Sequence, residues 1–163
     1  MLDVWPVLPL YIQCWEVAES VDNIIAVLEH SDRVCDISLY FEGLDLDKLS
    51  AAMQVPFPEL THLWLRSSDE TVSALPDSFL GGSAPCLQYL QLKGIPFPGL
   101  PKLLLSATNL VELYLANIPH SGYFSPEAIV TALSTLTHLG RLHREKPPLP
   151  TENSAGTNYR KRK

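Results

Sequence analysis

Six-residue segments with an aliphatic residue at the first, fourth and sixth positions recur along the chain. Three copies read L-x-x-L-x-L, and an earlier copy has Val, Ile and Leu at the three positions. The copies begin at Val34, Leu60, Leu87 and Leu110, so they are separated by 26, 27 and 23 residues. Leucine-rich repeats have this pattern and periods of about 20–29 residues. The spacing therefore predicts a leucine-rich repeat.

The alternation inside each copy predicts a β-strand. The fourth and sixth positions are two residues apart, so in a strand they point to the same side, and the residues between them point to the other. One repeat cannot bury its own leucines, whereas stacked repeats form a continuous core. We therefore expect Leu63, Leu90 and Leu113 to lie on adjacent strands of one parallel sheet.

The segments between the strands have apolar residues at helical spacing. This spacing predicts helices over residues 20–30, 46–54 and 99–107. A fourth helix is expected after Ser125, a capping residue that is followed by proline and an acid. Strands that alternate with helices indicate an α/β fold. The expected fold is an irregular leucine-rich-repeat solenoid with a curved parallel sheet and helices on its convex side.

The two ends of the repeat region differ from its middle. Leu8, Leu10 and Ile12 alternate with other residues and predict a first strand, whereas a last copy from Leu136 would place Arg141 at its sixth position. The interpretation is a repeat domain over residues 1–142, with about four or five irregular repeats. Residues 143–163 contain three prolines and few apolar residues, which indicates a disordered, basic C-terminal tail.

Charge and cysteine usage narrow the class of protein. Residues 1–140 hold sixteen acidic and five basic side chains, whereas residues 141–163 hold two and seven. An acidic body argues against a general nucleic-acid binder, and no apolar run is long enough for a membrane span. The three cysteines are odd in number and widely spaced, which favours an intracellular protein, cytoplasmic or nuclear. The basic residues 160–163 are compatible with a nuclear signal, although such an end more often only solvates the chain.

No pattern of residues in the sequence indicates catalysis. The five histidines have no metal-ligand spacing, and the sequence has no zincin, nucleophile-elbow or phosphate-loop motif. Lone serines without a positioned base do not make a nucleophile. We therefore expect no enzyme activity, no metal and no cofactor.

The strand residues that point away from the leucines are the candidate binding residues. They combine aromatic rings with both signs of charge, and Tyr, Trp and Arg are favoured at protein interfaces. The alternative is that these rings pack against one another or against a missing segment. The same strand positions also include Asp36, Ser38 and Ala116. The predicted protein-binding residues on the concave face are Tyr40, His62, Trp64, Arg66, Tyr89, Gln91, Lys93, Glu112 and Tyr114.

Six short segments of the chain carry a resemblance to a known family. They are residues 2–6 (LDVWP), 20–25 (SVDNII), 28–35 (LEHSDRVC), 55–60 (VPFPEL), 75–82 (LPDSFLGG) and 104–110 (LLSATNL). These segments resemble the leucine-rich-repeat region of F-box-type proteins, in particular the expanded families of mushroom-forming fungi. The resemblance covers about residues 2–142. In that family an N-terminal F-box binds a Skp-type adaptor of a cullin-RING ubiquitin ligase, and the repeats present substrates.

The resemblance implies a non-catalytic protein-interaction module that recognises a protein substrate for ubiquitination. An F-box occupies some forty residues ahead of the repeats, and here the repeat region begins almost at Met1. We therefore expect this chain to lack the F-box and to engage a Skp-type adaptor only if the F-box is supplied. The alternative is a truncated or decayed repeat fragment without a functional partner.

Overall fold

A computed structural model describes residues 8–15, 21–41, 46–69 and 72–145. The described residues form an α/β fold, as the alternating pattern predicts. Four helices connect the strands: α1 (Val21–Leu28), α2 (Leu46–Ala52), α3 (Leu100–Ser106) and α4 (Pro126–Ser134). Six strands form one parallel sheet in the order of the chain: β1 (Leu10–Cys14), β2 (Val34–Phe41), β3 (His62–Ser67), β4 (Tyr89–Lys93), β5 (Glu112–Ala116) and β6 (Arg141–Glu145).

The register of the sheet aligns the repeated leucines. Leu63 of β3 pairs with Leu90 of β4, and Leu90 pairs with Leu113 of β5. Ile37 of β2 and Leu142 of β6 continue the row on its two sides. The prediction that the repeated leucines lie on adjacent strands of one sheet is therefore confirmed.

One side of the sheet carries the hydrophobic core. The fourth- and sixth-position side chains of β2 to β5 are at most 3% exposed. Leu28 of α1, Leu49 of α2 and Leu104 of α3 are fully buried in the same cluster, so the helices cover this side of the sheet. Burial of each such side chain contributes about 1.5–3 kcal/mol relative to exposure, which makes the leucine rows the main source of stability.

Local signals place several of the boundaries. The Ser125 hydroxyl accepts a hydrogen bond from the Ala128 N–H at 3.1 Å, which confirms the predicted start of α4. Strands β4 and β5 end in the same way, with Gly94 (φ 70°) and Asn117 (φ 50°) in left-handed conformation. The Gly94 N–H donates to the Ala116 carbonyl at 2.9 Å. This bond ties the turn after β4 to the next strand.

The last strand differs from the expectation. Leu142 pairs with Leu113, so the last copy of the pattern begins at Leu139 and has Arg144, not Arg141, at its sixth position. Leu136 is instead buried just after α4. Residues 143–145, which the sequence assigns to the tail, belong to β6. Backbone pairing with β5 holds these residues in a strand although their composition is polar, and the rest of the predicted tail lies outside the described residues.

Candidate functional site

The side of the sheet opposite the leucine core is called the open face here. It carries the strand residues that alternate with the buried leucines. No part of the described chain covers it as the helices cover the other side, and none of its predicted residues belongs to the buried core. All nine predicted residues lie on it: Tyr40, His62, Trp64, Arg66, Tyr89, Gln91, Lys93, Glu112 and Tyr114.

Ala116 does not belong to the accessible part of this face. Its register places Ala116 in the row of Lys93 and Glu145, on the side that faces away from the leucine core, as the alternation predicts. Ala116 is nevertheless fully buried, because a methyl group is too short to extend beyond these longer neighbours.

An aromatic pair lies across strands β3 and β4. His62 and Tyr89 are in register, and their rings stack with centroids 4.4 Å apart and planes 14° apart. The Thr61 hydroxyl lies 2.9 Å from Nδ1 of His62, which orients the imidazole ring. Tyr89 keeps 38% of its surface exposed. The two stacked rings are therefore fixed in orientation and remain partly accessible.

A second aromatic pair joins β5 to β6. The Tyr114 ring stacks on the His143 ring, with centroids 4.7 Å apart and planes 3° apart. The Tyr114 hydroxyl donates a hydrogen bond to Oε2 of Glu145 at 3.2 Å. Partial burial, followed by this hydrogen bond and the nearby negative charge, raises the pKa of the Tyr114 phenol above its usual 10.0, while the charge of Arg66 acts in the opposite direction. Tyr114 is therefore a hydrogen-bonding phenol throughout the neutral range.

Trp64 packs against Trp15, an aromatic residue next to the first strand of the sheet. Its ring centroid lies 4.5 Å from that of Trp15, which directly follows β1. The pairs Gln13–Ser38 and Ser38–Trp64 show that β2 runs between the two tryptophans, and that its residue in this row is a small serine. Trp15 is 54% exposed. The two indoles together form the largest aromatic surface on the face.

Sequence reasoning missed three contributors to this face: Trp15, His143 and Glu145. Continuing the alternation of β1 places Trp15 on the same side as Gln13, so that signal was available. His143 and Glu145 were missed because residues from 143 onward were predicted to belong to the tail. The alternative interpretation of the aromatics is borne out in part, since the rings do pack in pairs. They nevertheless remain outside the leucine core.

Two positively charged side chains lie next to each other on the open face, at the C-terminal ends of the central strands β3 and β4. Arg66 and Lys93 are direct cross-strand neighbours, and like charges opposite each other are unfavourable. The Arg66 guanidinium lies 5.3 Å from the centre of the Tyr40 ring, in cation–π geometry. Within the described residues, neither cation lies within 4.0 Å of a carboxylate oxygen. Their positive charge is available to an acidic group from elsewhere.

The middle of the open face is a shallow depression of about 210 Å³. This is below the roughly 300–1,000 Å³ of typical small-molecule pockets, so its size favours a side chain of a protein partner over an enclosed cofactor. Within the described ranges, no group of three His, Cys, Asp or Glu side chains converges to hold a metal ion. The residues that line the depression include Ser38, His62, Trp64, Tyr89, Gln91 and Tyr114.

Comparisons with known proteins identify no relative of this chain. No protein-family model, curated protein or solved structure matches the chain. None of the helices that the structure describes is both long and apolar enough to span a bilayer. Inference about function therefore depends on the geometry of the open face and on the repeat pattern.

Proposed function

We propose that the chain is a non-catalytic protein-interaction module, an irregular leucine-rich-repeat solenoid whose open face binds another protein. Repeats of this kind stack so that each unit contacts its neighbours and one extended face becomes a binding surface. The sequential order of the six strands and the alignment of the repeated leucines support this interpretation.

The observation that carries the proposal is the position of Trp64, Tyr89 and Tyr114. Each lies on the side of the sheet that the core does not use, and the leucine packing does not require an aromatic residue there. Aromatic residues and arginine dominate the binding energy of protein interfaces. Arg66 and Lys93, which pair with no carboxylate of the described residues, add positive charge to this face. This charge suits a partner segment that carries a carboxylate near an apolar side chain.

The resemblance to F-box-type proteins supplies a cellular role for this face. On that basis the partner is a protein substrate of a cullin-RING ubiquitin ligase, inside the cell. The competing proposal is a truncated or decayed repeat fragment with no functional partner.

Alanine at Trp64, Tyr89 and Tyr114 separates the two proposals. If the open face binds a partner, each substitution at a central contact is expected to weaken the complex by about 2 kcal/mol, or about 30-fold in Kd. The measurement is quantitative affinity capture from cells of the source organism, followed by titration of the captured partner. A matched control replaces Val27 and Leu105, which are exposed on helices α1 and α3, and should leave binding unchanged.

A capture profile that is the same for the native chain and a folded open-face variant would contradict the interaction module. Circular dichroism and the melting temperature establish that each variant is folded. Loss of binding in the helix control as well would point to general instability and not to the open face.

A second experiment tests the role of the adaptor. In the resembled family the F-box supplies the contact with a Skp-type adaptor, so the repeat region alone is not expected to bind the adaptor in a pulldown. A fusion that carries an F-box from that family ahead of the repeats is expected to bind it. Direct binding of the adaptor to the repeat region alone would contradict this division of roles.

A further inference from the structure

Among the residues that the structure describes, no strand pairs with the outer edge of β6. The Arg141 N–H donates to the Val111 carbonyl at 3.1 Å, and the Glu145 carbonyl accepts from the Asn117 N–H at 3.3 Å. Backbone groups alternate in direction along a strand, so the N–H and C=O groups of Leu142 and Arg144 point away from β5. Within the described part of the chain, β6 pairs only with β5.

The last member of the row of apolar core residues, on β6, is not buried. Ile37, Leu63, Leu90 and Leu113 are at most 2% exposed, whereas Leu142 is 52% exposed in the same row. All five residues of β6 are exposed. An open edge beside an exposed leucine is a template for pairing with another strand.

We propose that β6 pairs antiparallel with β6 of a second copy of this chain. The two-fold axis passes between His143 and its counterpart in the second copy. In this register, Leu142 and Arg144 of the partner subunit exchange both backbone hydrogen bonds. The symmetry repeats the exchange, so the outward-pointing groups of both residues are satisfied in each copy. This inference does not depend on the proposed binding function.

The charges of β6 are self-complementary in this register. Within one copy, Arg141 lies 3.6 Å from Oε2 of Glu112, and Glu145 accepts a hydrogen bond from Tyr114. In the dimer, Arg141 also faces Glu145 of the partner subunit, and the two-fold axis makes the same pair a second time. These are non-hydrogen-bonded pairs, in which the Cα atoms are only about 4.5 Å apart and the side chains are closest. Opposite charges at such a position stabilise a pair of strands.

Other pairings match the strand less well. Centring the axis on Leu142 leaves Arg141 opposite His143, and centring it on Arg144 places two arginines directly opposite each other. Parallel pairing of β6 with β1 of another copy gives the three charged residues of β6 no opposite charge across the new strand pair, because β1 (LYIQC) contains no charged residue. It would also leave a free edge at each end and give open-ended assembly instead of a closed dimer.

Charge exchange tests the register. Arg141→Glu and Glu145→Arg are each expected to weaken the dimer at least about tenfold, because symmetry places like charges at two sites. The double variant restores opposite charges and is expected to recover most of the affinity. Sedimentation equilibrium of the full chain over a range of concentrations measures all three. Lys102→Glu and Glu127→Arg are matched charge changes on helices α3 and α4, away from the β6 edge, and should leave the dimer unchanged.

Disulfide cross-linking of an introduced cysteine tests where the two-fold axis crosses β6. His143→Cys places two thiols opposite each other at a Cα separation of about 4.5 Å, within the range that a disulfide bridges. Mild oxidation is expected to give a dimer linked through position 143, identified by peptide mass mapping. Leu142→Cys faces Arg144 instead of itself and should link much more slowly.

Three outcomes would overturn the proposal. One is a chain that stays monomeric at every concentration, as it would if residues 146–163 covered the edge. Another is a double charge exchange that leaves the dimer as weak as the single variants. The third is assembly that grows beyond two copies, which would indicate pairing of β6 with β1.

Discussion

Leu90→Ala is expected to lower the free energy of unfolding by about 2–5 kcal/mol. Leu90 is 2% exposed and lies between Leu63 and Leu113 in the row that joins the strands. Removing most of its side chain loses the transfer free energy of the buried atoms and leaves a cavity that the neighbours fill only in part. Urea denaturation followed by circular dichroism measures the change.

Gln91→Ala is the matched control for this prediction. Gln91 is the next residue of β4, but its side chain is on the open face and only half buried. We expect its free energy of unfolding to change by less than about 1 kcal/mol. A similar change for the two variants would contradict the assignment of the core to one side of the sheet.

Gly94→Ala is expected to destabilise the protein by about 2–5 kcal/mol, from two separate effects. Gly94 has φ 70°, a left-handed conformation that costs an alanine about 1–2 kcal/mol. A Cβ at this position would also overlap the carbonyl oxygen of Ser67, and relieving such a clash costs roughly 1–3 kcal/mol. The Ser67 side chain is itself buried and bonded to the Phe41 carbonyl, so the backbone there has little room to move.

Gly82→Ala separates the two effects. Gly82 has φ 74°, but the nearest atom to its Cβ would be the Asp77 carbonyl oxygen at 3.6 Å, an ordinary contact. We therefore expect only the conformational loss of about 1–2 kcal/mol. The melting temperature and urea midpoint of both variants provide the comparison. Equal losses at the two glycines would show that the contact between Gly94 and Ser67 is not rigid.

The proposed dimer would enlarge the binding face. A two-fold axis through His143, perpendicular to the sheet, keeps both open faces on the same side of the assembly. The Tyr114–His143 pair lies next to this axis, whereas Trp15 and Trp64 lie farther from it, toward β1. A protein partner that contacts both copies would gain affinity through linked binding.

Most of the central sheet and the candidate site could be predicted from local patterns. The alternation around Leu63, Leu90 and Leu113 identifies both the buried row and the residues that point away from it. The nine predicted open-face residues follow from the same alternation. Side-chain direction along a strand has a period of two, so these assignments need no knowledge of the neighbouring strands.

The aromatic contacts could not be predicted in this way. Trp15 meets Trp64 because β1 and β3 lie on either side of β2, whose intervening residue, Ser38, is small. Ala116 is buried because longer side chains flank it in the sheet. Both results depend on which residues become neighbours across strands, and spacing along one segment does not contain that information.

By itself, the sequence determined the alternating strands, the repeated leucines that join β2 to β5, and the polar and aromatic character of the opposite face. These properties follow from side-chain hydrophobicity and from the period of a strand. Only the tertiary structure decided that the last copy begins at Leu139 and not at Leu136, and that the strand continues to Glu145. Leu142 is the single apolar residue of β6, so its pattern carries little strand signal, whereas backbone hydrogen bonds to β5 form whatever the side chains are.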